Sequence, residues 1–162
     1  LESRIDVALA FDPAKRPGIR RRKLAQARFF VLAHDKMQFK GKKTLTFDDL
    51  RGRPFIGLNR RGPLGRALSE YLDAADVELD VVAWTETYHV ARALVVAGTG
   101  ITIADEITAR SSIGGDVVML PLEPALTFDI SLMRLAEASL SLGTRRFTKH
   151  LGNVVKTMLS QG

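Results

Sequence analysis

The stretch Thr85-Glu-Thr-Tyr-His-Val-Ala-Arg-Ala-Leu-Val-Val-Ala-Gly-Thr-Gly-Ile-Thr-Ile-Ala-Asp105 shows the plan of this chain. Its first half has apolar residues at Val90, Ala93, Leu94 and Ala97, the i, i+3, i+4, i+7 spacing of one helix face. Gly98 follows where a helix end favours a residue that tolerates positive φ. Past Gly100 the period changes, and Ile101 and Ile103 alternate about Thr102 as in a short strand. Upstream, Val81-Val82-Ala83-Trp84 reads as another strand, so the order is strand, helix, glycine turn, strand. Such a βαβ unit sets its helix on one face of a parallel sheet. With Thr85 or Thr87 as N-cap, the first free N–H groups of the helix point off the carboxyl edge of the sheet, where open α/β sheets take ligands.

Outward from this unit, the 162 residues suffice for one substantial core or two small lobes sharing a hinge. An apolar content of 46% and the lack of any run near the ~18 apolar residues of a membrane span fit a globular chain. Leu1-Glu2-Ser3-Arg4 has neither a basic start nor an apolar core, so no signal peptide is expected. Without cysteine there are no disulfides and no thiolate metal sites. The net charge of +6 invites a nucleic-acid reading, and the basic residues cluster at 15–28 and 36–43. Direct contact with DNA would need them on one surface beside an element that fits a groove, and no helix-turn-helix pattern accompanies them. Solvated loops and charged strand edges are the favoured reading.

In chain order, residues 5–10 read as a buried-looking parallel strand, residues 19–24 as a charged edge strand, and residues 29–33 as a separate buried strand. Thr46 with Asp48 and Asp49 suggests the cap and first turn of a one-turn helix. A short strand at 54–58 leads into the loop Asn59-Arg60-Arg61-Gly62-Pro63. Leu64, Leu68, Tyr71, Leu72 and Ala75 mark a helix. After the central unit come a short helix at 107–110, a break at 111–116, and strands at 117–120 and 128–133. A closing helix from about Thr144 carries Phe147, Leu151, Val154, Val155, Met158 and Leu159 on one side. Strands alternating with helices define an α/β protein.

These residues, in this order, resemble the effector-binding domain of LysR-type transcriptional regulators. The resemblance rests on Ile5-Asp-Val-Ala-Leu-Ala10, Phe29-Phe-Val-Leu-Ala-His34, Leu45-Thr-Phe-Asp-Asp-Leu-Arg-Gly-Arg-Pro-Phe-Ile56, and above all Ala93-Leu-Val-Val-Ala-Gly-Thr-Gly-Ile-Thr-Ile-Ala-Asp105, with the Ser139-Leu-x-x-Gly-Thr-Arg-Arg-Phe147 start of the last helix. Two departures are His34-Asp35-Lys36, where the family has a Pro, and Asp105, where Pro is common. The resemblance implies a type II periplasmic-binding-protein-like fold, two α/β lobes joined by two crossover strands. Lobe I would comprise residues 1–29 and 134–162 and lobe II residues 30–133, with crossings near Val31 and Leu132. The helix-turn-helix, its linker helix and the first part of lobe I would precede Leu1, so the domain is expected to be N-terminally truncated.

On the same resemblance a small effector binds between the lobes and hinge closure is the expected motion. The expected contacts are strand ends: Ala10 and Phe11 from lobe I, and Leu58, Asn59, Arg60, Thr85, Glu86, Thr87, Ile103 and Ala104 from lobe II. Arg60 and Arg61 beside a helix start suit an anionic effector or form a solvated loop pair. Thr87 is a helix cap, a ligand contact, or both; Glu86 answers the helix dipole; Trp84 is expected in the core. No enzyme is expected: His34, His89 and His150 show no metal-ligand spacing, Ser139 and Ser141 lack an elbow motif, and Gly98-Thr99-Gly100 lacks the third glycine of a dinucleotide loop. No metal or cofactor is implied. Expected partners are a small-molecule effector, DNA through the preceding domain only, and a second copy in a homo-dimer or tetramer; no membrane partner is expected. Localisation is expected to be cytoplasmic. The alternatives are a solute-binding protein of periplasmic type and an α/β enzyme on the same lobes.

Overall fold

The chain enters through strand β1 (Ala8–Phe11) and continues as β2 (Ile19–His34), a one-turn 3-10 helix (Phe47–Leu50), β3 (Pro54–Leu58), α1 (Pro63–Ala74) and β4 (Asp80–Thr85). Then follow α2 (Tyr88–Val96), β5 (Thr102–Asp105), α3 (Glu106–Arg110), β6 (Val117–Pro121), β7 (Thr127–Leu135) and α4 (Leu142–Ser160). The computed structural model describes residues 5–35, 39, 41–111 and 116–160. Residues 36–38 and 40 of the lysine-rich stretch, and residues 112–115 of the expected break, lie outside the described residues. Two compact units divide the chain: residues 1–27 with 128–162, and residues 28–127. The chain leaves the first unit inside β2 and returns to it inside β7.

Two strand readings are corrected. β2 is one sixteen-residue strand, not an edge strand followed by a separate buried one. Its first half is mostly exposed and its second half buried, so the pattern changes without a break in the backbone. β1 is not a buried parallel strand: it runs antiparallel to β7, with Ala8 opposite Met133 and Phe11 opposite Ile130, and Leu9 is 41% exposed.

In unit 1, β7 lies between β1 and β2. The Asp12 N–H donates to the Asp129 carbonyl at 2.9 Å, and the Asp129 N–H to the Asp12 carboxylate at 2.7 Å, closing that end of the β1–β7 ladder. Helix α4 buries Thr148, Gly152 and Val155. Phe147, Val154 and Met158, expected on the packed side, are exposed. The packed stripe is built of small residues, and a methyl at Gly152 would meet Leu24 Cδ2 of β2 at an ordinary contact distance of 3.7 Å.

In unit 2, β3 and β4 are parallel, Pro54 facing Asp80 and Leu58 facing Thr85. Ile101 joins β3 on its other side: its N–H donates to the Pro54 carbonyl and its carbonyl accepts from the Ile56 N–H, both at 2.8 Å. The strand–helix–strand unit is therefore present, with β3 between its two strands. Beyond Ile101 the chain turns away, and β5 pairs antiparallel with β2 (Phe29 opposite Asp105, Leu32 opposite Thr102), not parallel within the β3–β4 sheet. β6 flanks β2 from Phe30–Pro121 to His34–Val117. Phe29, Val31, Leu32, Ile56, Val95, Ile101 and Ile103 are fully buried among these elements.

Helix α2 begins at N-cap Thr87, whose hydroxyl accepts the Val90 N–H at 3.4 Å. It ends in a Schellman turn, Gly98 N–H to the Val95 carbonyl at 2.9 Å and Thr99 N–H to the Leu94 carbonyl at 3.0 Å, with Gly98 at φ 76°. The inward stripe is Tyr88, Ala91 and Val95, not the expected Val90, Ala93, Leu94 and Ala97; Val90 is 51% exposed. Trp84 is likewise corrected from core to surface, being 61% exposed with its ring over Gly57.

Gly100 is required by close approach rather than by φ: a Cβ there would lie 2.3 Å from the Pro54 carbonyl oxygen that Ile101 uses. Gly100→Ala should lower stability by about 1–3 kcal/mol in a urea titration, as forced overpacking does. Gly143→Ala, where the nearest heavy atom would be 3.7 Å away, should leave the midpoint unchanged or raise it.

Candidate functional site at the N-terminus of helix α2

Because β3 and β4 run parallel and end together at Leu58 and Thr85, the segments that follow them share one edge of unit 2. Asn59 extends the ladder by one bond, its N–H donating to the Thr85 carbonyl at 2.8 Å. Its side chain then works twice: Oδ1 accepts the Arg61 N–H at 3.2 Å and Nδ2 donates to Glu86 Oε1 at 2.9 Å. Thr85 is buried beneath, its hydroxyl 3.3 Å from the carbonyls of both Gly57 and Thr87. Thr87 caps α2. The structure thus brings Asn59, Thr85, Glu86 and Thr87 together around one helix N-terminus, with half-buried Leu58 at their foot. This edge exposes an amide, a carboxylate and a hydroxyl beside helix N–H groups that have no intrahelical partner.

The other expected site residues are placed differently. Arg60 turns to Asp73 of α1, with N–O distances of 3.3 and 3.4 Å, at the margin of a shallow cavity of about 260 Å³ between α1 and the outer side of β3 and β4. Both partners are more than half exposed, so the pair is weak and Arg60 can leave it at little cost. Ile103 and Ala104 are 0% exposed, opposite Val31 and Phe30 in the β5–β2 ladder, and their side chains belong to the core. Ala10 and Phe11 stand at the carboxyl end of β1 in unit 1, where Phe11 meets Phe128 edge to face at 5.8 Å.

Sequence reasoning did not single out Tyr88. It is 6% exposed, and its phenol oxygen finds no hydrogen-bond partner among the described residues. Burial first, and then the Asp105 carboxylate, push its pKa far above the usual phenol range, so it is a neutral O–H at any working pH. Asp105 is itself buried and caps α3 through the Thr108 N–H at 3.0 Å. Glu106, also buried, accepts the Arg28 N–H at 3.0 Å and pairs with Arg110 at 2.8 Å. The available signal was position: Tyr88 directly follows a threonine N-cap and shares the 88/91/95 stripe.

Among the described residues, no group of three or more His, Cys, Asp or Glu can hold a metal ion, and no helix is long and apolar enough to cross a membrane.

Polar side chains gathered around a helix N-terminus at a strand-end edge make this α/β domain a candidate for ligand binding. The family described as LysR substrate binding domain matches residues 1–156, and the chain belongs to that family. It is 30% identical over 155 residues to the HTH-type transcriptional regulator DgcR of a Pseudoalteromonas species, a match covering 96% of this chain and 53% of that one. The chain therefore spans about half the length of that regulator. The Synechocystis PCC6803 CcmR regulatory domain, solved in complex with 2-PG, is similar at a TM-score of 0.83 and 18% identity, covering 96% of this chain and 76% of that one. The effector-binding domain of QuiR, solved in complex with shikimate, is similar at 0.79 and 17%, covering 96% and 74%. The fold is the α/β, periplasmic-binding-protein-like fold of LysR effector-binding domains. The relatives are regulators of transcription, neither enzymes nor transport proteins, so the solute-binding and enzyme alternatives fall away.

The phenol of Tyr88 sets a test. A buried donor without a partner costs about 1–3 kcal/mol, so Tyr88→Phe should raise stability in the ligand-free protein by up to that amount. The folded state also holds the phenol proton more tightly than the unfolded state. That contribution is whole below the ordinary phenol pKa of about 10 and is lost as pH rises past it. Denaturation midpoints measured from neutral to alkaline pH should fall more steeply for the wild type than for Tyr88→Phe.

Proposed function

We propose that this chain is the ligand-sensing domain of a bacterial LysR-type transcriptional regulator and that its effector is a small organic anion. The family supports the sensing role, and the observation that supports the ligand class is the exposed Asn59–Glu86–Thr87 cluster on the N-terminus of α2. A helix N-terminus presents unpaired N–H groups and a partial positive charge, and so favours a carboxylate or phosphate. Shikimate, bound by the QuiR domain, is a carboxylate. In this reading Thr87 and Asn59 bind the anion, Arg60 swings from Asp73 to meet it, and Tyr88 donates its otherwise unused proton. Glu86 orients Asn59 and disfavours a second negative charge. Leu58 and Thr85 shape the floor, while Ile103 and Ala104 support it from the core. The assignment of Ala10 and Phe11 rests on the family resemblance alone.

The two compact units correspond in this proposal to the two lobes of the family fold. Effector binding shifts a population of arrangements, which it does only through different affinity for each. DNA recognition by a further domain, a homo-dimeric or tetrameric assembly and a cytoplasmic location complete the reading.

Thermal denaturation with a metabolite panel tests it. Carboxylates and phosphorylated acids should raise the melting temperature in a concentration-dependent way, as mass action requires, while neutral and cationic analogues should not. Asn59→Ala should remove the shift and leave the ligand-free melting temperature nearly unchanged. Thr87→Ala should also lower the ligand-free protein's stability by about 1 kcal/mol through loss of the cap. Stabilisation by neutral or cationic compounds alone would sink the anion assignment.

A further inference from the structure

The positive charge of this chain is confined to one unit. Unit 1 has twelve Lys and Arg against five Asp and Glu, whereas unit 2 has twelve against thirteen. Within unit 1 the cations converge. A groove of about 450 Å³ runs between β2 and α4, with Arg22 and Lys23 on the strand side, Arg145, Lys149 and Lys156 on the helix side, and Gly152 at its base. Helix α4 contains no acidic residue along its whole length. Lys23 pairs with Asp129, but among the described residues no carboxylate lies within ion-pair distance of Arg22, Arg145, Lys149 or Lys156.

Like charges gathered without counter-charges repel one another, so the arrangement costs stability unless an anion shares it. The cations do not close on one point. From Arg145 to Lys156 the helix advances about 16 Å at ~1.5 Å per residue, which suits a row of anionic groups better than a single one. Of the exposed apolar residues of α4, Phe147, Val154 and Met158 lie on the opposite side of the helix from Arg145, Lys149 and Lys156, and Leu142 of the first turn alone falls on the cations' side. A helix that lies in a membrane surface needs cations flanking the apolar face it buries, and this one separates them.

We propose that the groove between β2 and α4 binds the sugar–phosphate backbone of nucleic acid without reading its sequence. The chain would then touch DNA itself, in addition to any contact made by another domain. Phosphate contacts position a protein on a duplex and need no element inserted between base edges. In this proposal Arg22 and Lys23 do more than blunt a strand edge, because α4 brings three further cations up to them. The groove lies wholly in unit 1, so the inference is independent of the ligand assignment at α2.

The test is anisotropy of a fluorescein-labelled duplex of about 20 base pairs, titrated with the 162-residue chain between about 50 and 200 mM salt. The triple variant Arg22→Gln, Lys149→Gln, Lys156→Gln is compared with an equal-charge control, Lys15→Gln, Lys43→Gln, Arg66→Gln. Each lost phosphate contact removes roughly 0.9 from the slope of log affinity against log salt, so the groove triple should lose roughly 2–3 and the control less than about 1. Lys149→Glu alone should weaken binding at low salt more than Lys149→Gln. Equal losses in the two triples would reduce the effect to net charge and overturn the proposal. So would an unchanged slope in the groove triple. Binding to phosphatidylserine vesicles that the groove triple abolishes, with duplex binding intact, would assign the groove to membranes instead.

Discussion

Two backbone hydrogen bonds between Ile101 and β3 hold the functional edge of unit 2 in place. They fix where the chain re-enters the sheet after α2, and so fix where α2 begins. The helix must span β3 and return on its far side, which sets its N-terminus beside the ends of β3 and β4. Gly100 lets the strand approach that closely, and Gly98 ends the helix in time for it. From the same point the chain is released toward β2, so one residue joins the parallel β3–β4 pair to the antiparallel ladder of the core. The geometry of the candidate site and the continuity of the core therefore depend on the same two bonds.

The grammar of caps and turns made much of this legible. Thr87 before an apolar helix, Gly98 after it, and Thr46 with Asp49 before a single turn all stand where the structure has them, the last as a capping box with Thr46 N–H donating to Asp49 at 2.9 Å. These are local rules, satisfied within four residues. The orientation of an element was not legible in the same way. Helix α2 is apolar on two sides, so periodicity found a helix but could not choose between Val90/Ala93/Ala97 and Tyr88/Ala91/Val95. Strand β2 changes from charged to apolar at the point where it passes between units, and a change of burial along one strand looks in one dimension like two strands. Trp84 was assigned by residue type alone, although a large ring over a glycine on the outer side of a sheet stays mostly exposed.

The site divides along the same line. Asn59, Thr85, Glu86 and Thr87 were readable because parallel strands that end together must bring their following residues together. Ile103 and Ala104 satisfy the same rule on paper, yet their strand continues into a second ladder that buries them. Position marks Tyr88 as the residue after a threonine cap and Asp105 as a cap of its own, but nothing local shows that the phenol lacks a partner. An unpaired phenol is a property of everything around it, and only the packed structure shows that nothing reaches it.

That phenol is the one buried side-chain polar atom left without a hydrogen-bond partner among the described residues. Unit 2 buries Thr85, Thr102, Asp105 and Glu106, and hydrogen bonds meet each of these side chains: Thr85 lies 3.3 Å from the Gly57 carbonyl, Thr102 donates to the Ile56 carbonyl at 2.8 Å, Asp105 accepts the Thr108 backbone N–H, and Glu106 accepts from Arg28 and Arg110. A core that satisfies so many polar groups has the means to satisfy one more, or to replace Tyr88 with Phe at no loss of packing. A protein under pressure for stability alone would do one or the other. An unspent buried donor lowers the stability of the folded chain, and a ligand that reached it would recover that loss. The difference is affinity that a ligand gains without any new contact elsewhere. In the proposed sensor this asymmetry between empty and liganded states would reside in one hydroxyl group.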